Sequence, residues 1–221
     1  MMTTTNNNDR VAVLTGDLVR SSRLSPEALD DVRHELQRAV ADIADWTPGF
    51  VPHEADFFRG DAWQLLLQEP TLALRATIFL RARLIAIGRD ARIGIGIGAM
   101  DAASAKRVSL ASGPAFLRSG HALDRLGSGR LMLIVDSDER PGAQPDWPNV
   151  TLELVEALLM RLTRRQAQLL ALALHPQRRT HEMIARLLEP TVERQVVSKT
   201  LSRAGHGAIE TAILAFEQAY H

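Results

Sequence analysis

Two aspartates stand in matching surroundings far apart in the chain. Asp17 closes the apolar run Val11-Ala12-Val13-Leu14-Thr15-Gly16, and Asp61 sits in Phe57-Phe58-Arg59-Gly60-Asp61-Ala62-Trp63. A carboxylate at the lip of a buried strand and another at a hairpin tip meet only through tertiary folding. Brought together, they offer hard oxygen ligands for a divalent cation, Mg2+ or Mn2+, and through it for a nucleotide phosphate. Each also has a plain reading, since a strand-end acid can cap a turn and Gly-Asp is an ordinary hairpin dipeptide. Their joint occurrence, on a first strand and on the next hairpin, is what favours the metal.

The elements that must position them follow from periodicity. Val11 to Leu18 reads as a buried strand, and Ser25-Pro26-Glu27 announces a helix by an N-cap serine, a first-turn proline and early acidity. A hairpin around Arg59-Gly60-Asp61 returns as the strand Ala62 to Leu67, ahead of Pro70. A second helix runs from about Leu72 to Ile87 and stops at Gly88. In Arg92-Ile93-Gly94-Ile95-Gly96-Ile97-Gly98 the residues alternate with period two. The isoleucines therefore fill one face of a strand, and the glycines share the other with Arg92. That spacing does not fit a dinucleotide-binding fingerprint, and a face without side chains reads best as room for a closely packed neighbour. A helix near Ser112 to Leu126 and a strand Leu131 to Val135 complete the series. The order β-α-β-β-α-β with an extra α-β is the ferredoxin-like pattern, so an α+β fold is expected.

These residues carry a resemblance. The segments Val13-Leu-Thr-Gly-Asp17-Leu-Val-Arg-Ser21-Ser22, Arg59-Gly60-Asp61, Arg92 to Gly98 and Ala111-Ser-Gly-Pro-Ala-Phe-Leu-Arg-Ser119-Gly-His-Ala122 occur in the order of class III nucleotidyl cyclase domains. The arrangement resembles most the small SatD-type proteins, whose domain is similar to those cyclases, and covers roughly the first 136 residues. The resemblance implies metal binding by Asp17, the Leu18 carbonyl and Asp61, and phosphate contact by Ser21 and Ser22. Arg59 and Ser119, inside the matched motifs, and Phe57, just ahead of the hairpin motif, are further candidates for nucleotide contact. The pattern departs from active cyclases where they carry Asn-x-Ala-x-Arg: around Ala122 the residues are Gly120 and Asp124. Phe57 replaces the lysine that often reads adenine. Neutral or acidic groups cannot offset charge developing on a phosphoryl group, an effect of roughly 10^2 or more in rate. The resemblance therefore implies a nucleotide site without cyclase turnover. An active cyclase or other nucleotide-processing enzyme with a helical assembly tail is the alternative.

The proline-rich stretch Ser137 to Pro148 reads as a linker, and the chain beyond it has a helical pattern throughout. The expected division is a disordered lead over 1–9, a cyclase-like domain over 10–136, a linker over 137–150 and a helix-turn-helix domain over 151–221. Thr163-Arg164-Arg165-Gln166 is a capping-box pattern, and Thr180 caps the next helix. A third helix over Val192 to Arg203 carries Arg194, Gln195, Ser198, Lys199, Ser202 and Arg203, residue types suited to phosphates and base edges. This part resembles the helix-turn-helix of sigma-factor region 4, which implies double-stranded DNA as a partner, and a regulator of this kind is expected to be a homodimer. A helical packing module with a solvated polar face is the other reading. The last helix, with Ile209, Ile213, Leu214 and Phe216, reads as core or dimer seam, and His175, His181, His206 and His221 as surface or cap residues.

The composition excludes several classes. In 221 residues, 26 basic side chains balance 26 acidic ones, so overall charge names no partner. There is no cysteine, hence neither a disulfide nor a thiolate metal site. No apolar run is long enough to span a bilayer, and the polar opening is unlike a signal peptide, so a cytoplasmic location is expected.

Overall fold

The computed structural model describes residues 10–58, 60–101, 108, 111–127, 129–137 and 146–221. The expectations placed on residues 1–9, on Arg59 and on most of the proline-rich stretch lie outside these. Among the described residues the chain is α+β, with one five-stranded mixed sheet and eight α-helices.

Strand β1 (Arg10–Leu18) lies at the centre of the sheet. It pairs antiparallel with β3 (Ala62–Leu67) on one side and with β4 (Ala91–Ala99) on the other. Beyond β3 lies the short hairpin partner β2 (Asp56–Phe58), and beyond β4 the parallel strand β5 (Met132–Val135). The order across the sheet is β2-β3-β1-β4-β5.

One face presents Leu14, Leu18, Leu65, Leu67, Ile93, Ile95 and Ile97, all buried against α1 (Pro26–Ala44) and α2 (Ala73–Ala86). Ser25 caps α1 by accepting from the Ala28 amide at 3.2 Å. The opposite face holds the glycines of β4, and α3 (Pro114–Arg125) fills the space they leave. A Cβ on Gly94 or Gly96 would run into the backbone of α3 at Ala115, Ser119 and Leu123. Alternating glycine thus lets a helix lie on the sheet at backbone contact, as the period-two pattern implies.

The outer edge of β5 is closed by side chains of α4 (Trp147–Leu159). Asn149 forms a two-way pair with the Ile134 backbone, both bonds at 2.9 Å, and Glu156 accepts from the amides of Leu131 at 2.7 Å and Met132 at 2.8 Å. These bonds satisfy backbone groups that an edge strand would otherwise leave unpaired. Helix α4 starts within the expected linker, four residues before residue 151.

Four further helices complete the chain: α5 (Arg164–Ala173), α6 (His181–Arg186), α7 (Arg194–Arg203) and α8 (His206–Ala219). Leu152, Leu159, Leu170, Leu174, Ile209, Ile213 and Phe216 join the same buried cluster as α1, α2 and the sheet. The helical part is therefore packed onto the sheet part by a continuous apolar core. No described helix is long and apolar enough to cross a membrane.

Candidate functional site

Asp17 and Arg92 face each other across β1 and β4. Arg92 Nε donates to Asp17 Oδ1 at 2.8 Å, Nη2 donates to Oδ2, and Nη1 reaches the Leu126 carbonyl at 3.3 Å. The side-chain bond to Asp17 holds the Arg92 pKa above its usual value against partial desolvation, and the charges of Asp17 and Asp61 add to it. Asp61 precedes Ala62 of β3, beside the end of β1. The tip of its hairpin is fastened by Arg33 of α1, whose guanidinium donates to the Gly60 carbonyl through Nε at 3.1 Å and through Nη2. Gly60 itself has φ +88°, a conformation that suits glycine at this turn.

Both aspartates thus lie toward the same end of the sheet, and the Arg92 guanidinium is bonded to Asp17. Both Asp17 oxygens are occupied by Arg92, a bidentate fork that meets a carboxylate well. A divalent cation at Asp17 would have to displace it. As arranged, Asp17 is paired with a guanidinium, and among the described residues no three acidic or imidazole side chains cluster as metal ligands do. Arg92 was legible only as a member of the glycine face. The signal for its role was the register that sets an arginine opposite an aspartate at the end of two central strands.

The loop after β1 turns at Arg20, which has φ 59°, into a 3-10 turn over Ser21–Arg23. Ser21 is half-buried and Ser22 exposed, four and five residues beyond Asp17, while Leu18 faces the core. Phe57 pairs with Trp63 and packs into the core on the α1/α2 side. Ser119 is 0% exposed. Its hydroxyl donates to the Phe116 carbonyl at 2.9 Å and accepts from Thr15 at 2.7 Å, while Thr15 accepts from Gln64 at 3.0 Å. That relay ties α3 to the sheet, and a ligand could reach Ser119 only if α3 lifted. Asp17, Asp61, Ser21 and Ser22 are therefore brought to one end of the sheet, whereas Phe57 and Ser119 are held in packing.

The second candidate surface is on α7. Helices α5, α6 and α7 close around Leu169, Ala173, Ile184, Ala185, Leu188, Val197 and Leu201. Thr163 and Gln166 form a reciprocal capping box on α5, and Thr180 caps α6 at the Met183 amide. With Val197 and Leu201 turned inward, Arg194, Gln195, Ser198, Lys199, Ser202 and Arg203 are all exposed. They form two rows at four-residue spacing, 194-198-202 and 195-199-203, which lie side by side on a helix. Among the described residues, none of the three cations is drawn into an ion pair.

Between the two surfaces, Arg75 of α2 is 3% exposed and holds α8. Its guanidinium donates to Glu217 at 2.7 Å, to Glu210 at 3.2 Å and to the Leu174 carbonyl at 3.2 Å. Burial alone would lower its pKa, but Glu217 and Glu210 outweigh that and raise it. His206, expected as a surface or cap residue, stands half-buried at the first position of α8, with its Nε2 buried and without a partner. Desolvation lowers its pKa, Glu210 works the other way, and His181 and Arg75 lower it further. His175 packs against Trp46 and is lowered likewise by burial and by Arg179 and Arg75.

These depressed values give a sign for the pH dependence. Below about pH 6.5 the unfolded chain protonates its histidines while the folded chain resists, so acidification favours unfolding. Stability should be full above about 6.5 and fall as pH drops through the lower folded value. Urea unfolding of wild type and His206→Gln, compared from about pH 7.5 to about 5, should give the variant the shallower fall.

No protein-family model matches the chain, and no curated protein matches it.

Proposed function

We propose that the chain is a nucleotide-responsive transcriptional regulator. In this reading a ferredoxin-like, cyclase-like domain without turnover senses a phosphate-bearing nucleotide, and a helix-turn-helix unit binds double-stranded DNA. The observation that carries it is the exposed polar face of α7, set on a three-helix unit whose inner side is fully apolar. A helix packed on another, with arginine, glutamine, serine and lysine turned outward, suits the part of a recognition helix in the major groove.

The sheet order, read from β5 inward, contains the 4-1-3-2 sequence of a ferredoxin-like domain. The bidentate hold of Arg92 on Asp17 supports the loss of turnover, because it occupies the carboxylate that a catalytic metal would need. A homodimer suits half-site recognition, and α4 offers a surface for it: Trp147 and Leu154 are each 67% exposed, with Val150 between them. Location in the cytoplasm, where DNA is found in cells without a nucleus, goes with this reading.

Genome-wide DNA capture with the full-length protein tests it. A set of discrete, two-fold symmetric sites is expected, and Arg194→Ala with Lys199→Ala should lower duplex affinity about tenfold or more at fixed salt. Incubation with each NTP and Mg2+ or Mn2+ should give no cyclic product. Capture of no site, or a pattern indifferent to the double substitution, would remove the DNA-binding half.

A further inference from the structure

Four arginines from three separate parts of the chain line one cavity of about 500 Å³. Arg20 and Arg23 come from the loop after β1, Arg89 from the turn between α2 and β4, and Arg164 from the first position of α5. In a protein of zero formal net charge this is a concentrated positive site. Among the described residues none of the four is in an ion pair.

The single acid on the wall, Asp90, is already neutralised. Arg81, 0% exposed, donates through Nε to Asp90 Oδ1 at 2.9 Å and through Nη2 to Oδ2 at 2.7 Å, and the Ala91 amide adds a bond at 2.9 Å. Asp90 therefore offers an incoming anion little repulsion, and Arg81 Nη1 remains buried without a partner behind it. Arg164 is seated against Gly88, where any Cβ would collide with its guanidinium. Glycine at this turn thus serves the approach of an arginine as well as the φ of +77°.

We propose that this cavity binds the oligophosphate group of a small molecule through guanidinium charge, without a metal. Arginine forks suit phosphate oxygens, and several converging on one concavity select a multiply charged anion. Leu24, Ile85 and Leu162 supply an apolar flank on which a nucleotide's ring can rest. The concave shape favours a small ligand over a DNA backbone, which needs an extended surface. The inference rests on the nucleotide half of the proposed function and gives that ligand a place apart from Asp17 and Asp61. It also gives the signal a route. The ligand would bridge the sheet part to Arg164, and α5 carries Leu169 and Ala173 into the core beneath α7.

The test is calorimetric titration of the full-length protein in EDTA with sodium pyrophosphate, and separately with ATP and GTP. Pyrophosphate should bind saturably, and Arg23→Ala or Arg164→Ala should each weaken it about tenfold or more. Arg125→Ala and Asp17→Asn should leave it within about twofold. A nucleotide that binds more tightly than pyrophosphate assigns the flank to its ring, and equal affinity assigns the site to oligophosphate as such. Either supports the proposal. Absence of pyrophosphate binding in EDTA overturns it. So does binding in EDTA that survives both arginine substitutions; nucleotide binding that appears only when Mg2+ replaces EDTA and is lost in Asp17→Asn would instead leave the nucleotide half of the proposed function intact at the end of β1. If the arginine variants weaken duplex DNA and not pyrophosphate, the site is a DNA contact and the proposal fails.

Discussion

Gly96→Ala is expected to destabilise the protein by about 3 kcal/mol, among the larger effects a single methyl group can have. The added Cβ would fall on the Ala115 carbonyl oxygen and the Ser119 amide of α3, and within 2.9 Å of Ser119 Cα. All three are backbone atoms of a helix, so no side chain can swing aside, and α3 as a whole must lift from the sheet. Lifting it stretches the Thr15–Ser119 bond, which is buried and 2.7 Å long. The usual entropic benefit of replacing glycine by alanine, about 0.5–1 kcal/mol, is too small to offset this. Gly120→Ala supplies the contrast within α3, since nothing lies within 4 Å of its would-be Cβ. There the same change should stabilise by about 0.5–1 kcal/mol, because glycine weakens a helix interior. Urea unfolding of the two variants checks both signs. In a thermal scan Gly96→Ala should melt roughly 6 to 12 °C below wild type. A Gly96→Ala protein as stable as wild type would mean that α3 does not rest on the glycine face.

What made that face legible is that a period-two alternation of isoleucine and glycine has few physical solutions. One side must be buried by bulk and the other approached by backbone, and both happen in β4. The caps at Ser25, Thr163 and Thr180 were legible for a similar reason, since each is a local bond between a side chain and an amide three residues on. Pairings across the chain left no such trace. Asn149 and Glu156 look in sequence like polar residues of an amphipathic helix, yet they complete the edge of β5. Arg92 carries a bond to Asp17 that depends on a register between strands 75 residues apart. His206 stands at the first position of α8, after Gly205 with φ 73°, and that its Nε2 is enclosed by packing left no sign in the sequence. At the candidate site, residue types were sufficient to bring Asp17 and Asp61 forward. Only the fold revealed that an arginine holds Asp17. It also drew Arg20, Arg23, Arg89 and Arg164 together, from positions with no common motif, around one cavity.

Arg75→Ala should be the other severe substitution, at about 3–5 kcal/mol, because it strands two carboxylates at the seam between α2 and α8. Glu210 and Glu217 are 19% and 21% exposed, so water can recover only part of their lost solvation. The Leu174 carbonyl would lose its partner as well. The triple change Arg75→Met, Glu210→Leu and Glu217→Leu should instead lie within about 2 kcal/mol of wild type, since a buried ionic group and a packed apolar one of similar volume are often nearly equivalent. Urea unfolding of the single and triple variants measures that asymmetry. A triple variant as unstable as the single one would show that the ion group itself holds the seam together. If stability returns, the value of the charges must lie elsewhere. A guanidinium shared by two carboxylates two helical turns apart admits one rotation and one height of α8, whereas leucine and methionine pack in several. Since α8 follows α7 after Ala204 and Gly205, that rotation also fixes where the polar face of α7 points. The triple variant should therefore fold and bind duplex DNA, yet show a weaker response of DNA affinity to pyrophosphate or nucleotide than wild type. A full response in the triple variant would assign the coupling to the α4–α5 junction and Arg164 alone.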